Sequence, residues 1–224
     1  MTERVSVDIW SDVMCPWCVI GYQHLQHALA TLAGEIEAQI RWLPFELNPD
    51  MPPEGEESRA HIARKYGRTP EQAAAGADMM AERAREAGFP FDYTGDGEAP
   101  PSMLWNTFEA HKLLRWALDD AGPARQTQLK LALFRAHFQQ RRPIGDREVL
   151  LDVAEEAGLD RSEAQAALDD PSLGETVRAE ERQAWEMNIS GVPAMIFDGK
   201  FLVPGAQGPE TYADVLRKVV ARRG

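Results

Sequence analysis

The two cysteines of this chain stand three positions apart, in the segment Cys15-Pro16-Trp17-Cys18. Two thiols at this spacing can close a small disulfide ring and reopen it by thiol–disulfide exchange, in which a thiolate attacks a disulfide sulfur. The other 222 of the 224 residues include no cysteine. A lone pair at this spacing is typical of a working dithiol, and we predict a redox-active centre.

The residues around the dithiol predict a strand, a helix and a second strand. Residues 4–10 alternate between apolar and polar side chains, which is the period of a strand. A helical pattern follows from Pro16 to about Leu32, and a second strand fits Glu35–Glu46. The dithiol therefore lies where the first strand meets the first helix.

The helix start assigns different roles to the two thiols. Proline suits the first helical position, so Pro16 places Cys15 at the cap, where free backbone N–H groups and the positive end of the helix dipole favour a thiolate. We therefore predict that the pKa of Cys15 lies below that of a free cysteine and that Cys15 is the nucleophile. Cys18 lies one turn further along and suits a resolving thiol, while Pro16 and Trp17 form a stiff, apolar lip that contacts substrate.

The rest of the chain predicts a helical insertion within an α/β frame. The Pro-rich segment 48–55 can continue neither a strand nor a helix, and residues 56–188 are almost wholly helical in pattern. After that, a short strand, a turn and a returning strand precede a last amphipathic helix. We predict one discontinuous domain, residues 1–55 and 189–224, interrupted by an insertion domain, residues 56–188.

Composition and charge exclude several functional classes. The formal net charge of −12 repels a phosphate backbone, so a nucleic acid partner is not expected. No apolar run approaches the roughly 18 residues of a membrane span. The N-terminal residues pass directly into the first strand pattern without the features of a secretory signal, which predicts a cytoplasmic protein.

A second signal, Gly191-Val192-Pro193, comes directly before the strand that follows the insertion. A proline at the first position of a strand is an ordinary edge feature. A cis Val192–Pro193 bond beside the dithiol is the more specific interpretation, because an upstream CxxC motif stands at a strand-to-helix junction.

Together these features resemble the DsbA superfamily, in which a helical domain interrupts a thioredoxin fold, and in particular its FrnE-like branch. The resemblance spans essentially the whole chain and is carried by Ser11–Cys18, Pro44–Pro49, Pro52–Gly55, Asn106–His111, Gly191–Pro193 and Gly205–Gln207. It implies a protein-disulfide oxidoreductase or isomerase in which Cys15 attacks, Cys18 resolves and Pro193 is cis. It also implies that the Val192 backbone pairs with an extended substrate segment.

The resemblance further implies protein substrates that carry disulfides or thiols, with glutathione or a thioredoxin system as electron donor. We expect no bound cofactor and no metal, because a zinc site needs four ligands and a second cysteine pair is absent from the sequence. Two other functions stay open: glutathione-dependent isomerisation or transfer on a small molecule, and a non-catalytic redox sensor. Asp12 either tunes Cys15 or caps the turn, His111 is predicted at the edge of the core, and Asn106 has no derived role.

Overall fold

A computed structural model describes residues 2–223; Met1 and Gly224, the outermost residues of the predicted domain boundaries, lie outside this range. The frame is a four-stranded mixed sheet of β1 (Glu3–Ser11), β2 (Ile36–Pro44), β5 (Ala194–Phe197) and β6 (Phe201–Pro204). The strands lie in the order β2-β1-β5-β6, in which β2 runs parallel to β1 while β5 and β6 are antiparallel to their neighbours.

Two helices, α1 (Pro16–Thr31) and α8 (Pro209–Ala221), pack against each other and help to enclose the main core. The alternation predicted for β1 places Val5, Val7 and Ile9 fully in this core, with no exposed surface. The predicted α/β class and the predicted start of α1 at Pro16 are both confirmed.

Most of the insertion is helical. Its helices are α2 (Ser58–Tyr66), α3 (Pro70–Glu86), α4 (Phe108–Phe134), α5 (Arg147–Glu156), α6 (Arg161–Asp169) and α7 (Pro171–Glu186), and a π-helical turn over Arg135–Gln139 continues α4. A two-residue antiparallel ladder of β3 (Glu56–Glu57) and β4 (Met103–Leu104) also lies in the insertion. The sequence pattern did not predict this ladder, because its partners stand far apart in the chain.

Helix α4 is the element of the insertion that reaches the sheet of the frame. Gly122 has a φ of 80° and breaks α4 into two segments. In the second segment, the side-chain amide of Gln126 donates to the carbonyl oxygen of Trp42 at 2.8 Å and accepts from its backbone N–H at 2.9 Å. These bonds fasten α4 to β2 and place the following turn of the helix beside the end of β1, just before the dithiol.

In residues 2–223, we find no helix with the length and apolar content that crossing a membrane requires.

Candidate active site

The dithiol lies at the N-terminus of α1, as predicted. Cys15 is the cap residue, with an extended backbone (φ −82°, ψ 112°), and the N–H of Cys18 donates to its carbonyl oxygen at 3.0 Å. Both cysteines are buried. Cys15 is 3% exposed and Cys18 has no exposed surface. A reagent arriving from solvent therefore meets Cys15 first.

The structure brings Val192 and Pro193 to the dithiol across 177 positions of sequence. The Val192–Pro193 peptide bond is cis, as the resemblance implied. The thiol of Cys15 donates to the carbonyl oxygen of Val192, with Sγ and O 3.6 Å apart. The carbonyl oxygen of Pro193 accepts from the N–H of Gly205 at 2.7 Å, which holds this loop against the frame.

Pro16 and Trp17 form the outer edge of the site. Pro16 occupies the first position of α1 and is partly exposed, and the Trp17 side chain is 39% exposed although it is large and apolar. An indole in this position offers contact area to a substrate beside Cys15.

Asp12 lies entirely buried beneath the dithiol. Its carboxylate accepts from the N–H of Leu47 at 2.7 Å and from the N–H of Met14 at 3.3 Å, and Nε2 of His111 lies 3.8 Å from its Oδ1. Burial works to raise the pKa of Asp12, but His111, the Leu47 N–H and the positive charge nearby outweigh it and lower that pKa. Asp12 therefore both caps the turn before Cys15 and places a negative charge there.

Sequence reasoning missed Lys130, a fully buried residue of α4. Its ammonium lies 3.5 Å from the carbonyl oxygen of Ser11 and about 5 Å from two ring centroids, those of Trp42 (5.2 Å) and Phe134 (5.0 Å). Burial lowers the pKa of Lys130 to about 8, although the nearby negative groups act in the opposite direction. The available signal was a lysine inside the apolar run 129–134.

The prediction that the pKa of Cys15 is lowered was wrong. The hydrogen bond between the thiols raises the pKa of Cys15, and burial and the negative charge of Asp12 add to the effect. Burial also opposes ionisation of Cys18, but its contact with Cys15 and the charge of Lys130 outweigh burial and lower the pKa of Cys18. The helix dipole that motivated the prediction is opposed by the interaction with Cys18, by burial and by the charge of Asp12.

The remaining candidates have structural positions. The side chain of Asn106 donates to the carbonyl oxygen of Pro49 at 3.2 Å and accepts from the N–H of Phe108 at 3.0 Å, so it joins the start of α4 to the loop after β2. His111 is buried on α4 beside Asp12. Among residues 2–223, no cluster of three or more His, Cys, Asp or Glu side chains is arranged to hold a metal ion.

Comparison with known proteins identifies the family. A family model described as a DSBA-like thioredoxin domain matches residues 6–217. The chain belongs to the DSBA-like thioredoxin domain family. The thioredoxin-like fold with a helical insertion is thereby confirmed, and membership of this family makes the protein a DsbA-like thiol–disulfide oxidoreductase.

Individual relatives match along nearly the whole chain. A crystal structure of a probable DsbA oxidoreductase from Streptomyces coelicolor is 32% identical, with a TM-score of 0.85 over 98% of this chain and 92% of that one. The uncharacterized protein YwbO of Bacillus subtilis is 27% identical over 93% of this chain and 94% of its own length. The cytosolic disulfide reductase DsbM of Pseudomonas aeruginosa, also solved with GSH, shares the fold at 20% identity, with a TM-score of 0.61 over 97% and 99% of the two chains.

Proposed function

We propose that this DsbA-like protein is a cytoplasmic protein-disulfide reductase and isomerase of the FrnE-like type, in which Cys15 attacks and Cys18 resolves. The observation that carries the proposal is the different accessibility of the two sulfurs. Cys15 contacts the carbonyl oxygen of Val192 and is 3% exposed, whereas Cys18 has no exposed surface. A substrate disulfide arriving from solvent therefore meets Cys15 before Cys18.

The reaction transfers two electrons from the dithiol to the substrate. Cys15, whose raised pKa keeps the remaining proton on it, passes that proton to Cys18, and the Cys15 thiolate then attacks one substrate sulfur. A mixed disulfide forms, and the other substrate sulfur leaves as a thiolate, which takes the Cys18 proton. The Cys18 thiolate then attacks Cys15, closes the ring and expels the second substrate thiolate, which takes a proton from water.

Isomerisation uses the first half of the same sequence. If another thiolate of the substrate displaces Cys15 from the mixed disulfide, the substrate gains a different disulfide and the dithiol is returned reduced. No electrons are lost from the protein in this case, so the balance between reduction and isomerisation depends on how fast Cys18 attacks.

The loop of Val192 and Pro193 provides the contact for an extended substrate segment. The carbonyl oxygen of Val192 already accepts a weak sulfur hydrogen bond, and a substrate N–H in its place makes a stronger one. Trp17, two residues after Cys15 and 39% exposed, supplies apolar contact to residues beside the substrate cysteine. Both contacts favour protein substrates over small disulfides.

We propose glutathione as the electron donor that returns the dithiol to its reduced form, and no bound cofactor is required. The structure of the Pseudomonas DsbM with GSH supports this choice, since that reductase shares the fold. A thioredoxin system is the other donor to be tested, by comparing turnover with each in the insulin assay.

The direct test is reduction of insulin by the wild-type protein and by a Cys15→Ser variant. We expect the serine variant to lose activity completely, because it cannot form the mixed disulfide. Full activity without Cys15 would refute the assignment. A small-molecule isomerase or transferase instead predicts activity that survives loss of Cys18, so a Cys18→Ser variant separates that alternative.

A further inference from the structure

Lys130 is a buried cation beside the end of β1 whose charge acts on both thiols, and the proposed reaction leaves it without a role. It comes from the insertion, and its side chain reaches the carbonyl oxygen of Ser11, four residues before Cys15. Its position is maintained by Gln126, one helical turn earlier, which is bonded to β2. The placement of this ammonium is thus built into the contact between the insertion and the frame.

The surroundings of Lys130 compensate its charge only in part. Within the described range, 2–223, its ammonium makes no ion pair with a carboxylate and one long hydrogen bond, to Ser11. The ring faces of Trp42 and Phe134 contribute cation–π attraction. A buried ammonium without a direct ion pair is costly. Asp12 acts on it from beyond ion-pair distance, and the charge of Cys18 acts on it more strongly.

The reduced dithiol supplies that stronger negative charge. We propose that Lys130 is a positioning residue that holds the negative charge of the reduced Cys15–Cys18 pair and so sets its reduction potential from within the insertion. This inference rests on the proposed function, because it assumes that the pair cycles between dithiol and disulfide.

The physical consequence follows from counting charges in the two redox states. The reduced pair carries one negative charge once a single proton has left, whereas the disulfide carries none. Lys130 therefore stabilises the reduced state more than the oxidised state and raises the reduction potential. Its own ammonium loses a favourable interaction when the disulfide forms, so oxidation lowers the pKa of Lys130 below its value of about 8 in the reduced protein.

Other titratable groups surround the same space and must be considered in a pH titration. The charged and titratable groups that face Lys130 are the two thiols of α1, Asp12 on the loop after β1, and His111 and Arg115 on α4. Asp12 favours the ammonium but opposes the thiolate, so its effect on the dithiol is opposite in sign to that of Lys130.

The test replaces Lys130 by methionine, which keeps an unbranched chain and removes the charge. Lys112→Met is the matched control, because Lys112 is a second buried lysine of α4, 6% exposed, and its ammonium bonds to Leu168 rather than to the site. Each variant is equilibrated with glutathione redox buffers, and thiolate absorbance at 240 nm is followed against pH.

For Lys130→Met we expect a higher thiolate pKa and an oxidation constant against glutathione about tenfold larger, which is a potential about 30 mV more negative. Lys112→Met should match the wild type in both measurements. Lys130→Gln, which keeps a donor for Ser11 without a charge, should behave like the methionine variant and provides a second test should the methionine variant not fold.

The inference is overturned if a folded, charge-free variant keeps the wild-type potential and thiolate pKa. A Lys112→Met variant that shifts both as much as Lys130→Met would overturn it as well, since the effect would then be general loosening of α4. Failure of the proposed function looks different, because the wild-type protein itself would then form no Cys15–Cys18 disulfide in the same buffers.

Discussion

Gly21 of α1 faces Pro193 so closely that a Cβ on the glycine would lie 3.2 Å from Cγ of the proline, and 3.3 Å from Cβ of Ala206. A side chain at this position would have to displace its neighbours by a few tenths of an ångström, so the glycine favours the close approach of helix α1 to the loop of Val192 and Pro193. The distance between Cys15 and Val192 is therefore sensitive to the side chain at Gly21, the sixth residue of the helix.

Gly21→Ala should push the loop away from Cys15. We expect a loss of about 1–3 kcal/mol in the free energy of unfolding from overpacking. Insulin reduction should slow by about tenfold, while oxidation of the dithiol by glutathione disulfide continues. Gly76→Ala is the control, because that glycine is also helical and meets only the flexible end of Arg68; it should gain about 0.5–1 kcal/mol. Equal behaviour of the two variants would contradict the account.

Asp12→Asn should act on the dithiol in the sense opposite to Lys130→Met. The interaction with Cys18 and burial are the largest causes that raise the pKa of Cys15, and the negative charge of Asp12 adds to them. Removing the Asp12 charge should therefore lower the thiolate pKa. We expect a higher reduction potential, measured as an oxidation constant against glutathione that is about threefold to tenfold smaller. We also expect a loss of about 1–3 kcal/mol in the free energy of unfolding.

The control for this variant is Asp8→Asn, which removes a carboxylate that bonds Arg41 at the protein surface. It should leave the thiolate pKa unchanged. A rise of the thiolate pKa in Asp12→Asn would show that the carboxylate does not oppose ionisation of the pair.

His137 should make the protein sensitive to mild acid. Burial lowers its pKa to about 4, with a smaller contribution from Arg141, whereas the unfolded chain has the ordinary value of 6.5. Between these values the unfolded state binds more protons, so stability falls as the pH falls from 6.5 towards 4, by about 3 kcal/mol in total.

A His137→Gln variant should lack this part of the acid sensitivity, measured as the free energy of unfolding in urea at several pH values. Replacing the exposed His27 by glutamine should leave the wild-type dependence in place. Parallel curves for the wild type and His137→Gln would contradict the prediction.

Trp17→Ala should weaken the binding of protein substrates and leave small disulfide substrates unaffected. The exposed indole contributes contact area only to a substrate large enough to reach past Cys15. We expect KM for a protein disulfide to rise by about threefold to tenfold, as loss of about 1 kcal/mol of apolar contact requires, and the rate with glutathione disulfide to stay the same. Trp185→Ala, at a 59% exposed tryptophan of α7, is the control. An equal loss of activity with both substrates would show that Trp17 supports the fold rather than substrate binding.

The frame and the dithiol could be predicted because their signals are local. The alternation of β1 and the proline after Cys15 place the thiols at a strand-to-helix junction without reference to any other part of the chain. The prediction of a cis bond at Pro193 depended on the family resemblance, because a proline at the start of a strand also has an ordinary explanation.

Lys130 and the charge distribution of the thiols could not be predicted from local signals. The position of Lys130 depends on how α4 packs against β2 through Gln126, a contact between residues 84 positions apart. The pKa of Cys15 depends on its burial, on Cys18 and on Asp12 together. A helix cap predicts a dipole, but only the packed structure shows which neighbouring charges and sulfurs act against it.

The most direct test of the account is to map the mixed disulfide. Each single-cysteine variant, Cys18→Ser and Cys15→Ser, is incubated with a protein disulfide and analysed by mass spectrometry after acid quenching. The account predicts rapid accumulation of a mixed disulfide on Cys15 in the first variant and almost none on Cys18 in the second, because Cys18 is sealed from solvent. A mixed disulfide on Cys18 that forms as fast as the one on Cys15 would contradict it.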